Sequence, residues 1–283
     1  MLSPDQVSHD GGPPYAREAL SQEEECVPSR RSSRPARSHS RRMALPCLTP
    51  AAHPPQSHRY AFQTAGYLCV PAALGAAETQ WLSAAVTASL AAGASPLLQP
   101  AVRELLVQPT AVWYLNELVG AGYRLDTEPE LLPPVAEPLA LTDGALPRRP
   151  KDAFYHTRLG KRQCNSVRVV IALDSVRDGD GGFSLVPCSH TVNVEAPPAV
   201  RAGDPLRQLG EGVWQQPPME AGDMLVVAGA CLQGLQPWRG ARPQRLLSLS
   251  FVGRSIVSTD GPNVLPHPNA GQPWWEALSD AQQ

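Results

Sequence analysis

The feature that most constrains this chain is a change of period near its middle. Val167 to Leu173, VRVVIAL, is a short, mostly apolar, β-branched run, and that composition predicts a central strand buried on both faces. Met224 to Ala228 and Leu246 to Val252, LLSLSFV, read as further strands of the same sheet. Between them, the GDGG of Gly179 to Gly182 predicts a tight turn at positive φ, with Phe183 to Val186 as the next strand and Pro187 closing it.

The preceding stretch has helical spacing. Tyr67 to Val70 reads as a short strand ending at Pro71. Glu78 to Ala92 follows with Trp81, Leu82, Ala85, Val86 and Leu90 along one stripe, and Gly93 as its C-terminal stop. Val102 to Leu106 and Val112 to Val119 suggest two more short helices, and Trp274 to Gln283 a terminal one. Short strands behind an early helical layer predict a mainly β architecture with flanking helices, a double-sheet barrel.

Residues 1–56 are rich in Pro, Ser, Arg and His with little apolar periodicity, so a disordered tail is expected before one domain at 57–283. Arg31 to Arg42 is basic and free of acids, in the manner of an organelle transit peptide, but Glu23, Glu24 and Glu25 precede it. No compartment follows from this; an intracellular, soluble chain is the expectation. The formal charge of −2 gives no reason to expect nucleic acid or an anionic membrane as partner. No apolar run reaches the length of a membrane span. Six cysteines, none in a CxxC pair, give neither a zinc knuckle nor a dithiol motif, and reduced thiols are expected.

Phosphate-cradling loops, the nucleophile elbow, HExxH and the EF-hand loop are all missing from the sequence. A Ser-His-Asp set assembled from Ser189, His190 and Asp174 has no spacing that would orient it. Asp174, Asp178 and Asp180 are expected on loop surface.

CNSVRVVIALDSVRDGDGGFSLVPCSH, followed by AGDMLVVAGACLQGLQPWRGARPQRLLSLSFV, resembles the phytanoyl-CoA dioxygenase family, as does the opening YAFQTAGYLCVPAALGAAETQWL. The resemblance spans about Tyr60 to Val252 and implies a double-stranded β-helix, a cupin-like jelly roll. It also implies iron(II) held by a His-x-Asp pair and a distal His, with 2-oxoglutarate on the metal and an Arg on its far carboxylate. Two imidazoles and one carboxylate on one face leave three coordination positions open, and a guanidinium matches a carboxylate with two parallel hydrogen bonds.

Carried over residue by residue, the set is incomplete. Gln233 of Leu232-Gln233-Gly234 falls where the distal His belongs, and an amide oxygen is a much poorer iron ligand. Arg245 matches the carboxylate-binding Arg, with Arg242 as its neighbour, and is expected near Gln233 with its side chain pointing inward. The proximal pair falls either on Asp143, in Leu141-Thr142-Asp143-Gly144, or on His156, in His156-Thr157-Arg158; neither contains His-x-Asp. His190 matches a loop of the family and is not a metal position there.

Three functions stay open at this point. One is a scaffold whose oxygenase chemistry is lost or impaired. The second is an active hydroxylase of a small or lipid-like molecule, using iron(II) and 2-oxoglutarate. The third is a non-catalytic module binding a small organic molecule. No oligomeric state follows from the residues.

Overall fold

The computed structural model describes residues 56–142, 154–158, 161–192, 213–254 and 256. The expected tail, Asp143 and the expected terminal helix Trp274 to Gln283 lie outside the described residues, apart from Gln56. All of the described residues belong to one unit, Leu45–Gln283.

The chain enters through α1 (Gln56–Ala65), turns at Gly66 and forms β1 (Tyr67–Val70). Next comes α2 (Ala76–Ala92), whose start is fixed by two bonds: the Gly75 N–H donates to Glu78 Oε2 at 2.7 Å, and Thr79 Oγ1 donates to the Gly75 carbonyl at 2.9 Å. Glu78 also sets a negative charge at the positive end of the helix dipole. Gly93, at φ 59, ends the helix as expected, its N–H returning to Leu90 and that of Ala94 to Ser89. The buried stripe differs from the expected one. Thr79, Leu82, Val86 and Ser89 face inward, whereas Trp81 is 50% and Leu90 55% exposed. Ala-rich flanks make several faces of this helix almost equally apolar, so packing selects among them.

Two single-turn 3-10 segments flank α3 (Pro100–Glu104), and α4 (Pro109–Leu118) completes the helical layer. Short strands β2 (Arg124–Leu125), β3 (Glu130–Leu132) and β4 (Leu139–Thr142) follow, then the hairpin β5 (Tyr155–Arg158) and β6 (Lys161–Cys164). The remaining strands are β7 (Ser166–Ala172), β8 (Gly182–Leu185), β9 (Met224–Ala228), β10 (Gln233–Gln236) and β11 (Leu246–Val252). The turn before β8 has Gly179, Gly181 and Gly182 all at positive φ; a Cβ on Gly181 would stand 2.0 Å from the Pro237 carbonyl oxygen.

The largest sheet has the antiparallel order β1-β9-β7-β11-β2, with β3 also on β11. As expected, β7 is central, flanked by β9 and β11. A second sheet has the order β4-β10-β8, and β5 and β6 pair alone.

This arrangement corrects the expected architecture. A closed barrel needs the edge strands of its sheets bonded from one to the other. Here the registers end at β1, β2 and β3 on one sheet and at β4 and β8 on the other, so among the described residues no sheet closes or curls. The helices carry about as many residues as the strands, and the fold is mixed α/β. Irregularly spaced short strands suit open sheets as well as a barrel, and strand spacing does not record which edges join.

One apolar cluster runs through both larger sheets, joining Val169, Ile171, Leu225, Val226 and Leu249 to Phe183, Leu185 and Leu235.

Candidate functional site

Directly paired residues of an antiparallel sheet present their side chains to the same face. In the largest sheet, Tyr67, Val227, Arg168 and Ser250 therefore form one row, and Val170 and Ser248 belong to the next. This face is turned toward the β4-β10-β8 sheet: Tyr67 Oη donates to Gln215 Oε1 at 3.2 Å, and Gln215 bridges to Leu185 of β8.

Gln233 opens β10 and is 1% exposed. Its Nε2 donates to the Ala228 carbonyl at 2.9 Å, which fixes the side chain at the end of β9, beside the Tyr67–Val227–Arg168 row. Its Oε1 is buried without a hydrogen-bond partner. A second buried amide belongs to the same region. Gln244, 2% exposed, lies against Gly182 of β8, where a Cβ would stand 2.4 Å from Gln244 Oε1. Neither Oε1 nor Nε2 of Gln244 has a partner. A buried polar atom left unpaired costs about 1–3 kcal/mol, so two such amides are features that packing alone does not explain.

Arg124, in the Ser166–Val252–Arg124 row, stands on this face with its Nη2 3.5 Å from Asp126 Oδ1, and so does Arg168. Arg168 Nη1 donates to Ser248 Oγ at 2.9 Å and lies 3.5 Å from Glu130 Oε1. Burial lowers the guanidinium pKa and the Glu130 carboxylate opposes that shift. Among the described residues each of these cations is matched by a carboxylate, beside the two amides and the serines Ser166, Ser248 and Ser250.

Arg245 is placed differently from the expectation. Its Nε and Nη2 donate to Asp174 Oδ2 and Oδ1 at 2.5 and 2.8 Å, and Nη1 donates to Ser83 Oγ of α2 at 2.8 Å. The guanidinium fork is engaged by Asp174, on the side of α2, and Asp174 is a clasp rather than open loop surface. Gln244, the adjacent residue, faces the β4-β10-β8 sheet instead, because neighbouring side chains alternate along extended backbone. Arg242 is exposed, and its carbonyl accepts from Trp238 Nε1.

His156 lies on β5 opposite Gln163, exposed and stacked on Phe154 at 5.5 Å, while the alternate residue Tyr155 turns into the core against His190 and Phe62. His156 is exposed at the surface, whereas Gln233 is buried. Among the described residues, no group of three or more His, Cys, Asp or Glu side chains is placed to hold a metal ion. Among the described residues an iron(II) centre does not fit: Gln233 contributes one neutral oxygen, and its amide nitrogen is turned to Ala228.

The Ser-His-Asp combination is not assembled either. Ser189 Oγ donates to the Val186 carbonyl at 2.6 Å and accepts from the Leu232 N–H, His190 Nε2 bonds the Gln63 carbonyl at 2.9 Å, and Asp174 holds Arg245. Cys231, beneath Ser189, is buried, and burial pushes its thiol up to about 11.

No family model matches the sequence, and no curated protein matches it. Among solved structures, HygX from Streptomyces hygroscopicus with nickel and 2-oxoglutarate bound is 17% identical, with a TM-score of 0.58 over 77% of this chain and 94% of HygX. The carbocyclase SnoK from nogalamycin biosynthesis, described as non-haem and α-ketoglutarate-dependent, is 15% identical, with a TM-score of 0.52 over 80% of this chain and 91% of SnoK. The epimerase SnoN, in complex with iron(III), α-ketoglutarate and nogalamycin RO, gives 18% and 0.51 over 70% and 83%. The chain shares its fold with these proteins. At such identity the likeness carries the fold and leaves the chemistry to the residues.

The residue that sequence reasoning missed is Gln244. Its signal was available only in combination: a strand beginning at Leu246 sends positions 244 and 245 to opposite faces. Among the described residues, no helix is long and apolar enough to cross a membrane.

Proposed function

We propose that this chain is a small-molecule-binding protein on an oxygenase-type fold in which iron-dependent chemistry has been lost. The observation that carries this reading is Gln233, which is buried with an unpartnered Oε1 and which the family resemblance aligns with the distal imidazole. With Gln244 it offers unpaired acceptors and a donor beside a face whose described cations, Arg168 and Arg124, lie against Glu130 and Asp126. Such a surface favours an uncharged, hydrogen-bonding organic molecule over a dicarboxylate, because a buried charge needs an opposite charge beside it. That HygX has been solved with 2-oxoglutarate and hygromycin B bound supports small-molecule binding by this fold. The proposal takes residues 57–283 as the binding domain.

Anaerobic calorimetry of apo-protein with iron(II), with and without 2-oxoglutarate, tests it. The expected result is weak, non-saturable metal binding and no succinate release. A one-to-one site at about micromolar affinity or tighter, abolished by His156→Ala and accompanied by succinate, would overturn it in favour of a hydroxylase using Asp143 or His156. Binding of 2-oxoglutarate without metal, abolished by Arg245→Ala, would keep the binding function and return the carboxylate site to Arg245.

A further inference from the structure

A second cleft, of about 670 Å³, lies at the other end of the β5-β6 hairpin from its tip. Its walls are the C-terminal turn of α4, Phe154, the strand end at Arg162 to Asn165, and Gly253 with Arg254 just beyond β11. That volume lies within the range typical of small-ligand sites.

Charge decides what it suits. Glu117 supplies the cleft's carboxylate, and both oxygens are taken: Oε2 by Arg59 Nη2 at 2.8 Å and Oε1 by Arg162 Nη2 at 2.9 Å. Arg162 Nη2 also donates to the Glu117 carbonyl, so this guanidinium is fixed against the helix end. Arg254, exposed at the rim, makes no ion pair among the described residues. Its stem crosses Gly122, at φ +79, where a Cβ would stand 3.3 Å from Arg254 Cδ; glycine lets the side chain lie close along the wall. Among the described residues, the lining holds two guanidinium groups, Arg162 and Arg254, against one carboxylate, Glu117, already engaged by Arg59 and Arg162, which leaves a positive excess.

The remaining wall is flat and partly apolar. Phe154, stacked on His156 with 27° between the rings, lines the cleft together with Gly120, where a Cβ would meet nothing within 4 Å. The position of Phe154 is fixed by its N–H to Asn165 Oδ1 at 2.7 Å.

We propose that this cleft binds a small organic anion, a carboxylate or phosphate monoester on a flat apolar body, with Arg254 meeting the charge and Phe154 the ring. A guanidinium pairs with either group by two parallel hydrogen bonds, and an aromatic wall adds apolar contact. This site is separate from the Gln233–Gln244 interior.

The test is titration of the full chain, followed by calorimetry or ligand-observed NMR, with benzoate, phenyl phosphate and benzyl alcohol as probes. The expected result is saturable binding of an anionic probe with Kd below about 1 mM, weakened about fivefold or more by Arg254→Gln and by raised salt. Tighter binding of phenyl phosphate assigns the phosphate ester, and the reverse order assigns the carboxylate. Three results would overturn the proposal: no saturation by either anion, unchanged affinity in Arg254→Gln, or benzyl alcohol binding as well as the anions. Gln233→Leu leaves this binding unchanged, which separates its failure from failure of the interior site.

Discussion

Replacing Gln244 by Met should make the protein more stable, an unusual outcome for a fully buried position. The side chain is 2% exposed and neither amide atom has a partner. Each unpaired buried group costs about 1–3 kcal/mol. Methionine keeps the length and flexibility of glutamine without the amide, and repacking at roughly constant volume costs up to about 1.5 kcal/mol. Counting the amide as one unpaired group, the net expectation is a gain of up to about 3 kcal/mol, or up to roughly 10 °C in Tm for a domain of this size. Urea unfolding at an unchanged m-value measures it, with the exposed α2 residue Gln80→Met as a control expected within about 0.5 kcal/mol of the parent. The same variant should lose affinity for any neutral ligand of the interior, since the donor and one of the unpaired acceptors offered there are gone while Gln233 Oε1 remains. A loss of stability of 1 kcal/mol or more in Gln244→Met (roughly,) would mean the amide is already satisfied, and the reading of this face as a ligand surface would fall.

Two more expectations follow from the packing. Gly66→Ala should destabilise by more than about 2 kcal/mol, because Gly66 sits at φ +82 and a Cβ there would stand 2.4 Å from His190 Nδ1; a melting temperature within a degree or so of the parent's would contradict that contact. Burial lowers the pKa of both His58 and His190, the latter against the opposing bond to the Gln63 carbonyl. A depressed imidazole is neutral when folded, so its contribution is complete above the unfolded value of 6.5 and falls as pH drops below it toward the folded value. Urea midpoints should therefore be lower at about pH 5.5 than at about pH 7.5, whereas equal midpoints would show that these rings are not buried neutral.

What the sequence determined by itself is the set of elements with strong local signals. The β-branched, apolar runs specify β7, β9 and β11, and those strands form where expected, Met224–Ala228 and Leu246–Val252 residue for residue. Gly93 marks the end of α2, and the GDGG glycines take the positive φ that their lack of a Cβ permits. The absence of a His at position 233 is also a fact of sequence, and the structure adds that its replacement is buried with an unpaired oxygen. Strands β4, β5, β6 and β10 were not legible, because each has four residues and no alternation of its own; only pairing with a neighbour makes them strands. Tertiary structure alone decided that the sheets stay open, since edge-to-edge hydrogen bonding depends on where the chain brings distant strands and not on their composition. It also decided which side of β11 each residue faces. Arg245 and Gln244 are neighbours in sequence, yet Arg245 is drawn to Asp174 and Ser83 while Gln244 lies beside Gly182, because a strand rotates successive side chains to opposite faces. A one-residue difference in register thus separates a carboxylate-binding cation from an unpaired amide, and only the packed sheets fix which of the two lies inside.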